Sequence, residues 1–176
     1  MIAEADFRRL VAGRWLVPLM ALIGEQEGAR FAAMRARLGL SRSALTASLA
    51  QLQEAGWLRR NPGHGHPLRP EYILTKKGAP IAAFAMKVMA ERARLGLEPA
   101  QLPRWSLPLI ATLGRDRARF SALRASLAPV TPRALSLTLK QMLSTDLVDR
   151  ALEDDFPPIA IYGLTHRGSR LAEAMR

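Results

Sequence analysis

An internal repeat constrains the fold of this chain more than any other feature of its sequence. Arg14-Trp15 recurs as Arg104-Trp105, and Thr75-x-x-Gly78 recurs as Thr165-x-x-Gly168, in each case 90 residues later. Further matches lie between these segments and keep the same register, apart from a one-residue difference in the first loop. Solenoid proteins repeat with shorter periods, of about 20 to 50 residues. The 176 residues therefore predict two similar small domains.

The connection between the two copies is rich in glycine and proline. Gly96, Pro99 and Pro103 lie just before Arg104, where the second copy begins. Clusters of this kind mark turns and linkers. The predicted ranges are 1–95 for the first domain (repeat one), 96–103 for the linker and 104–176 for the second domain (repeat two).

Apolar spacing and capping residues predict the helices of repeat one. Residues 15–24 form an apolar run that indicates a buried helix, and a second, short helix starts at Arg30. Ser41 and its counterpart Thr131 are suitable N-caps for a third helix. Pro132 follows Thr131 at the first helical position, where proline is favoured. The same helix start is therefore predicted in both repeats.

A hairpin and a final helix complete the predicted domain. Two strands are expected over residues 57–60 and 71–74, on either side of a segment rich in Gly and Pro. Two helices joined by a short turn and followed by a hairpin are typical of a winged helix-turn-helix. The predicted fold class is mainly α (α+β). It consists of two tandem winged helix-turn-helix domains, arranged as an intramolecular pseudo-dimer around helices near 5–13 and 75–95.

The charge balance favours a polyanionic partner. The chain has 26 Lys and Arg against 15 Asp and Glu, a net charge of +11, which suits nucleic acid or an anionic membrane surface. Residues 1–90 carry 13 basic and 6 acidic groups (+7), and residues 91–176 carry 13 and 9 (+4). An arginine-rich composition can also reflect coding bias. Only the placement of these charges in the fold can therefore show whether they serve to bind a partner.

Several classes of protein are excluded. The longest apolar run, from Trp15 to Gly24, is half of the roughly 20 residues that a membrane span requires. We therefore expect a cytoplasmic protein without membrane contact. The lack of cysteine excludes disulfides and cysteine-type metal sites. His64 and His66 have only His166 as a possible third histidine ligand, so neither metal nor cofactor is expected. No catalytic motif is present, and we expect no enzyme.

The candidate DNA-binding residues lie on the second helix, the third helix and the hairpin. An arginine at the start of a recognition helix can pair with guanine, and an arginine beside a helix N-terminus suits a phosphate. The alternatives are solvated helix faces and surface ion pairs. In repeat one the candidates are Arg30, Arg35, Arg42, Ser43, Thr46, Gln51, Arg60, His64 and Arg69. In repeat two they are Arg119, Arg124, Arg133, Ser136 and Lys140, on a helix that also carries Leu137.

The two predicted hairpins differ in charge. The hairpin of repeat one carries Arg59, Arg60 and Arg69, whereas that of repeat two carries Asp149 and the acidic run 153–155. Acidic groups at this position would repel DNA. Repeat two is therefore expected to bind DNA weakly or to serve mainly as the fused dimer partner, and the DNA site is expected to be asymmetric.

Four segments of repeat one occur in the order and spacing of a known family. They are Gly13-Arg14-Trp15, Arg30-Phe31-x-x-Met34-Arg35, Leu38-x-x-Ser41 and Glu71-Tyr72-x-Leu74-Thr75-x-x-Gly78. With them the chain resembles the HxlR family of bacterial winged-helix regulators, within the broader MarR-like group. The resemblance implies a transcriptional regulator whose DNA-binding homodimer has been fused into one chain. Many members sense oxidation through a cysteine, which this chain lacks, so thiol sensing is excluded.

Two other functions remain open at this point. Tandem winged helices also occur in chromosome-segregation subunits, which bind proteins in an assembly. A third possibility is a small-molecule sensor that holds its effector between the two repeats and binds DNA weakly. Salt dependence would separate the first alternative from DNA binding, because only phosphate contacts give a steep slope.

Overall fold

A computed structural model of the protein describes residues 2–63, 69–98, 101–114, 116–153 and 158–176. The chain divides into two compact units, residues 1–89 and 90–176. The division falls inside the fifth helix, earlier in the chain than the Gly- and Pro-rich segment in which the sequence places the linker. Among the described residues, no helix combines the length and the apolar character needed to span a membrane.

Apart from α1 in the first unit and the short strand β3 in the second, the described elements of the two units follow one order. The first contains α1 (Glu4–Val11), α2 (Leu16–Glu25), α3 (Phe31–Leu38), α4 (Arg42–Glu54), β1 (Leu58–Arg60), β2 (Tyr72–Leu74) and most of α5 (Gly78–Arg94). The second contains α6 (Ser106–Leu113), β3 (Ala118–Arg119), α7 (Phe120–Ser126), α8 (Pro132–Ser144), β4 (Val148–Glu153), β5 (Ile159–Leu164) and α9 (His166–Ala174). In repeat one the helices α2, α3 and α4, a hairpin and the helix α5 follow one another. This order confirms the predicted winged helix-turn-helix class with mixed α and β structure.

The hairpins are antiparallel in both units. β1 pairs with β2, with Leu58 opposite Leu74, and β4 pairs with β5, with Val148 opposite Leu164. In each unit a third segment pairs with the hairpin, just before α3 in the first unit and just before α7 in the second. It is a single bridge from Ala29 in the first unit and the short strand β3 in the second. The hairpin is therefore attached to the helix-turn-helix through the backbone.

A side-chain cap begins α4 in repeat one and α8 in repeat two, as the sequence predicts. Ser41 Oγ accepts a hydrogen bond from the Ala44 N–H at 3.2 Å, and Thr131 Oγ1 accepts one from the Ala134 N–H at 3.2 Å. Gly39 ends α3 in the left-handed conformation, with φ of 62°, which glycine adopts without strain. This glycine allows the short turn that aims α4 away from α3.

The recurring Thr-x-x-Gly motif joins the start of the last helix, α5 or α9, to the turn that follows α4 or α8. Thr75 Oγ1 donates to the Gly56 carbonyl at 2.6 Å and accepts from the Gly78 N–H at 3.0 Å. Thr165 makes the same pair of bonds, to the Asp146 carbonyl at 2.6 Å and from the Gly168 N–H at 3.1 Å. Both repeats thus keep the same pair of hydrogen bonds between the last helix and the turn that precedes the hairpin.

The last residues of α5 belong to the second unit and pack within it. The buried carboxylate of Glu91 pairs with Arg170 of α9 at 2.6 Å. Arg167 Nη2 donates to the Leu95 carbonyl at 2.9 Å. Earlier in α5, Phe84 packs on Phe7 of α1, with ring centroids 6.0 Å apart. α5 therefore contributes to the packing of both compact units.

Candidate nucleic-acid interface

The N-terminal half of α4 exposes a polar face. Arg42, Ser43 and Thr46 are exposed, whereas Leu45 and Leu49 are buried in the core. Ser43 Oγ lies 3.2 Å from Ser41 Oγ, so the capping residue also orients this second hydroxyl. The structure therefore brings three of the predicted DNA-contacting residues together at the start of α4, which is the recognition helix of the predicted helix-turn-helix, as α8 is in repeat two.

A groove of about 640 Å³ runs along α3 and the turn that follows it, and reaches Arg42 at the start of α4. Arg35 and Arg42 are the two charged residues of its lining, and the other lining residues are apolar. Arg30 precedes α3 as its N-cap residue and is exposed. Two or more guanidinium groups around one concave surface favour a polyanion, because each is a permanent positive charge with several donors.

A second cavity, of about 460 Å³, connects the recognition helix to the hairpin. Its lining comprises Phe31, Arg42, Thr46, Arg60, Glu71 and Tyr72. Arg60 Nη2 donates a hydrogen bond to Tyr72 Oη at 3.3 Å, and its guanidinium carbon lies 5.6 Å from the Tyr72 ring centroid. The hydrogen bond to Tyr72 raises the pKa of Arg60. Tyr72 thus positions Arg60 toward the same cavity that Arg42 lines.

Glu71 is a member of this site that the sequence did not single out. Its Oε2 accepts a hydrogen bond from the Phe31 N–H at 3.0 Å. The sequence predicted a phosphate contact at the start of α3, beside Arg30. In the structure the first amide of α3 is hydrogen-bonded to the Glu71 carboxylate instead. Comparison of the two repeats could have drawn attention to Glu71, because the equivalent position in repeat two holds an apolar residue, Ile161.

The remaining candidates of repeat one lie elsewhere or are not described. Gln51 is exposed near the end of α4, and its Oε1 is 3.3 Å from the place where Gly13 would carry a Cβ, so it lies beside the α1–α2 connection. Arg69 Nη1 is 2.6 Å from the corresponding place on Gly63, so this side chain lies against Gly63. His64 lies outside the described residues.

Repeat two presents a similar helix face with different side chains. Arg133, Ser136 and Lys140 are exposed on α8, while Leu135, Leu139 and Met142 are buried. Arg124 is exposed on α7.

Ion pairs connect β3 to the acidic hairpin of repeat two. Arg119 Nη2 lies 2.6 Å from Glu153 Oε2, and Arg117 Nη1 lies 2.6 Å from Asp149 Oδ1. The four side chains are 41–47% exposed, so each pair contributes about 0–1 kcal/mol. Two of the carboxylates that were expected to repel DNA, Asp149 and Glu153, are thus offset by arginines, one of which, Arg119, was itself a predicted phosphate contact. The rest of the acidic run, 154–155, lies outside the described residues.

Comparison with known proteins places these observations in a family. The model of the HxlR-like helix-turn-helix family matches the chain twice, over residues 10–99 and 102–176. An uncharacterized HTH-type transcriptional regulator from Methanothermobacter thermautotrophicus is 31% identical over 65 residues, which are 37% of this chain and 50% of that protein. The chain thus spans half the length of this curated relative.

Solved structures show weaker likeness. A transcriptional regulator of the MarR family from Enterococcus faecalis V583 is 28% identical, with a TM-score of 0.43, and the match covers 48% of this chain and 77% of that one. Diamide-treated YodB from B. subtilis is 25% identical, with a TM-score of 0.41, and the match covers 43% of this chain and 76% of that one. The two family matches together span nearly the whole sequence and follow its internal repeat. The chain therefore belongs to the HxlR-like helix-turn-helix family and carries the family's domain twice.

Proposed function

We propose that this protein is a transcriptional regulator that binds double-stranded DNA in a sequence-dependent manner. The observation that carries the proposal is the position of Arg42, which lines both the α3–α4 groove and the cavity that leads to Arg60 on the hairpin. A recognition helix enters the major groove with its N-terminal residues near base edges. On this basis Arg42, Ser43 and Thr46 read bases, while Arg30, Arg35 and Arg60 contact the backbone on either side.

Selection of bound fragments from genomic DNA at two salt concentrations tests this proposal. We expect a small set of enriched sequences, and an affinity that falls steeply with salt because counterions are released from the neutralised phosphates. Affinity for a protein partner with little dependence on salt, together with no enriched sequence, would instead support an assembly subunit.

We also propose that the two repeats act on one DNA site as a fused pseudo-dimer. A covalent connection makes the second contact intramolecular and raises its effective concentration. Since the exposed faces of α4 and α8 differ in sequence, the site is expected to be asymmetric. Arg133→Ala in the full chain should weaken binding to the complete site but leave binding to a half-site for repeat one unchanged. Equal effects on both DNA fragments would contradict the pseudo-dimer.

Substitution of Glu71 by glutamine is expected to strengthen DNA binding about two- to fivefold. The change removes a negative charge from the cavity that Arg42 and Arg60 line, and a unit charge a few ångströms away in water is worth up to about 1 kcal/mol. The amide oxygen can still accept the hydrogen bond from Phe31, so the fold is retained. Fluorescence anisotropy with labelled DNA measures the change.

Glu54→Gln is the matched control for this experiment. Glu54 is exposed at the last residue of α4, so its substitution changes the net charge equally but at a distance from the cavity. If both variants gain affinity to the same extent, the effect belongs to net charge and not to Glu71.

A further inference from the structure

An exposed leucine interrupts the polar face of α8. The side chains of Leu135 and Leu139 are buried, with 0% and 2% exposure, whereas Leu137 is 58% exposed. It lies in the N-terminal half of the helix, six residues after Thr131, which caps it. A large apolar side chain in water forgoes the stabilisation that burial would bring. Single exposed leucines are common on protein surfaces, but this one lies among the polar residues of α8 that are candidate DNA contacts, so its neighbours decide what it could bind.

The neighbours of Leu137 indicate the chemistry of that partner. Arg133 precedes it by four residues and Lys140 follows it by three, which places all three on one helix face. Both basic residues are exposed. An apolar protein surface or the interior of a membrane would have to desolvate these charges, at a high cost. A major groove offers phosphates for the two cations and, between them, the methyl groups of thymines.

Repeat one has a related arrangement at the same position. Ala47 occupies the equivalent place on α4 and is also exposed and apolar. Its side chain is a single methyl group and reaches less far from the helix axis. Both repeats thus keep an apolar contact point among polar neighbours, but of different length.

We propose that Leu137 contacts the C5-methyl group of a thymine in the DNA bound by repeat two, and that it is a specificity-determining residue. The inference rests on the proposed DNA-binding function and adds a base preference to it. The longer side chain in repeat two would read a methyl group that Ala47 does not reach, which makes the two half-sites differ.

Uracil substitution tests this contact, because deoxyuridine differs from thymidine only by the missing methyl group. Each thymine of a selected site is replaced in turn, and binding is measured for the native protein and for Leu137→Ala. We expect about fourfold weaker binding of the native protein at one thymine, the effect of one buried methyl group. The Leu137→Ala protein should bind the thymine and uracil forms of that site equally.

Leu152→Ala is the matched control. Leu152 is 62% exposed but lies on β4, so this variant should keep the native sensitivity to uracil. If every uracil substitution affects the native and Leu137→Ala proteins alike, the thymine contact is refuted while DNA binding stands. If selection enriches no sequence at all, the proposed function fails and this inference fails with it.

Discussion

Replacement of Gly78 by alanine is expected to destabilise the first unit by about 3–5 kcal/mol, which is at the upper end of single-residue effects. A Cβ on Gly78 would overlap the carbonyl oxygen of Trp57 and lie 2.8 Å from its carbonyl carbon. These are backbone atoms of a chain segment that is fully buried at Trp57, so they cannot turn aside as a flexible side chain could. The last helix would have to move away from the end of α4.

The sign of the change in unfolding free energy distinguishes a steric clash from an ordinary gain in helix propensity. Alanine ordinarily stabilises a helix by about 1 kcal/mol relative to glycine, so a loss reports the contact with Trp57. Gly39→Ala serves as the control, since Gly39 has a φ of +62° but no atom within 4 Å of its Cβ position. It should cost about 1 to 2 kcal/mol from backbone strain alone. Urea unfolding followed by circular dichroism measures both variants, and equal losses would contradict the role assigned to the contact.

The same contact recurs in repeat two, where a Cβ on Gly168 would overlap the carbonyl oxygen of Leu147. The Thr-x-x-Gly motif could be seen in the sequence, but its reason could not. Threonine as a helix cap was predictable from local chemistry. The need for glycine three residues later depends on how closely the final helix approaches the residue just before the first hairpin strand, 21 positions earlier, and no local pattern reports that distance.

Local signals also predicted the recognition helices. Ser41 and Thr131 begin α4 and α8 because each side chain bonds to an amide three residues later. The turn after each helix is less regular. Gly56 has a φ of 74°, and Asp146 has a φ of 55° at the equivalent place. Asp tolerates this conformation better than most other residues, so the turn persists in repeat two without its glycine.

The electrostatic environment of the candidate site was not predictable in this way. Glu71 reaches the amide of a residue 40 positions earlier. Arg117 and Arg119 reach carboxylates 32 and 34 positions later. Each of these contacts follows from the pairing of the hairpin with the start of the second helix, and strand register is a property of the folded domain. Counting charges along the sequence could therefore show an asymmetry between the repeats but not which charges are already paired.

Loss of the Arg42 side chain is expected to weaken binding to a selected DNA site by about 1–3 kcal/mol, or roughly 5- to 150-fold. Arg42 is the first residue of α4 and is exposed. A guanidinium in this place can make two parallel hydrogen bonds to a guanine edge, and alanine removes both. Fluorescence anisotropy at constant salt concentration measures the change. Arg8→Ala is the matched control, because Arg8 on α1 is 76% exposed and pairs with Glu4 one turn away.

Salt dependence then distinguishes the two arginines that face the shared cavity. If Arg42 contacts a base, Arg42→Ala leaves the slope of log affinity against log salt unchanged and relaxes the sequence preference at one position. If Arg60 contacts a phosphate, Arg60→Ala weakens binding to all sequences alike and reduces the slope by about 1. Because Arg8→Ala loses the same charge, any effect of net charge alone appears in all three variants. Affinity that stays at the native value in both Arg42→Ala and Arg60→Ala would exclude this face as the DNA-binding surface.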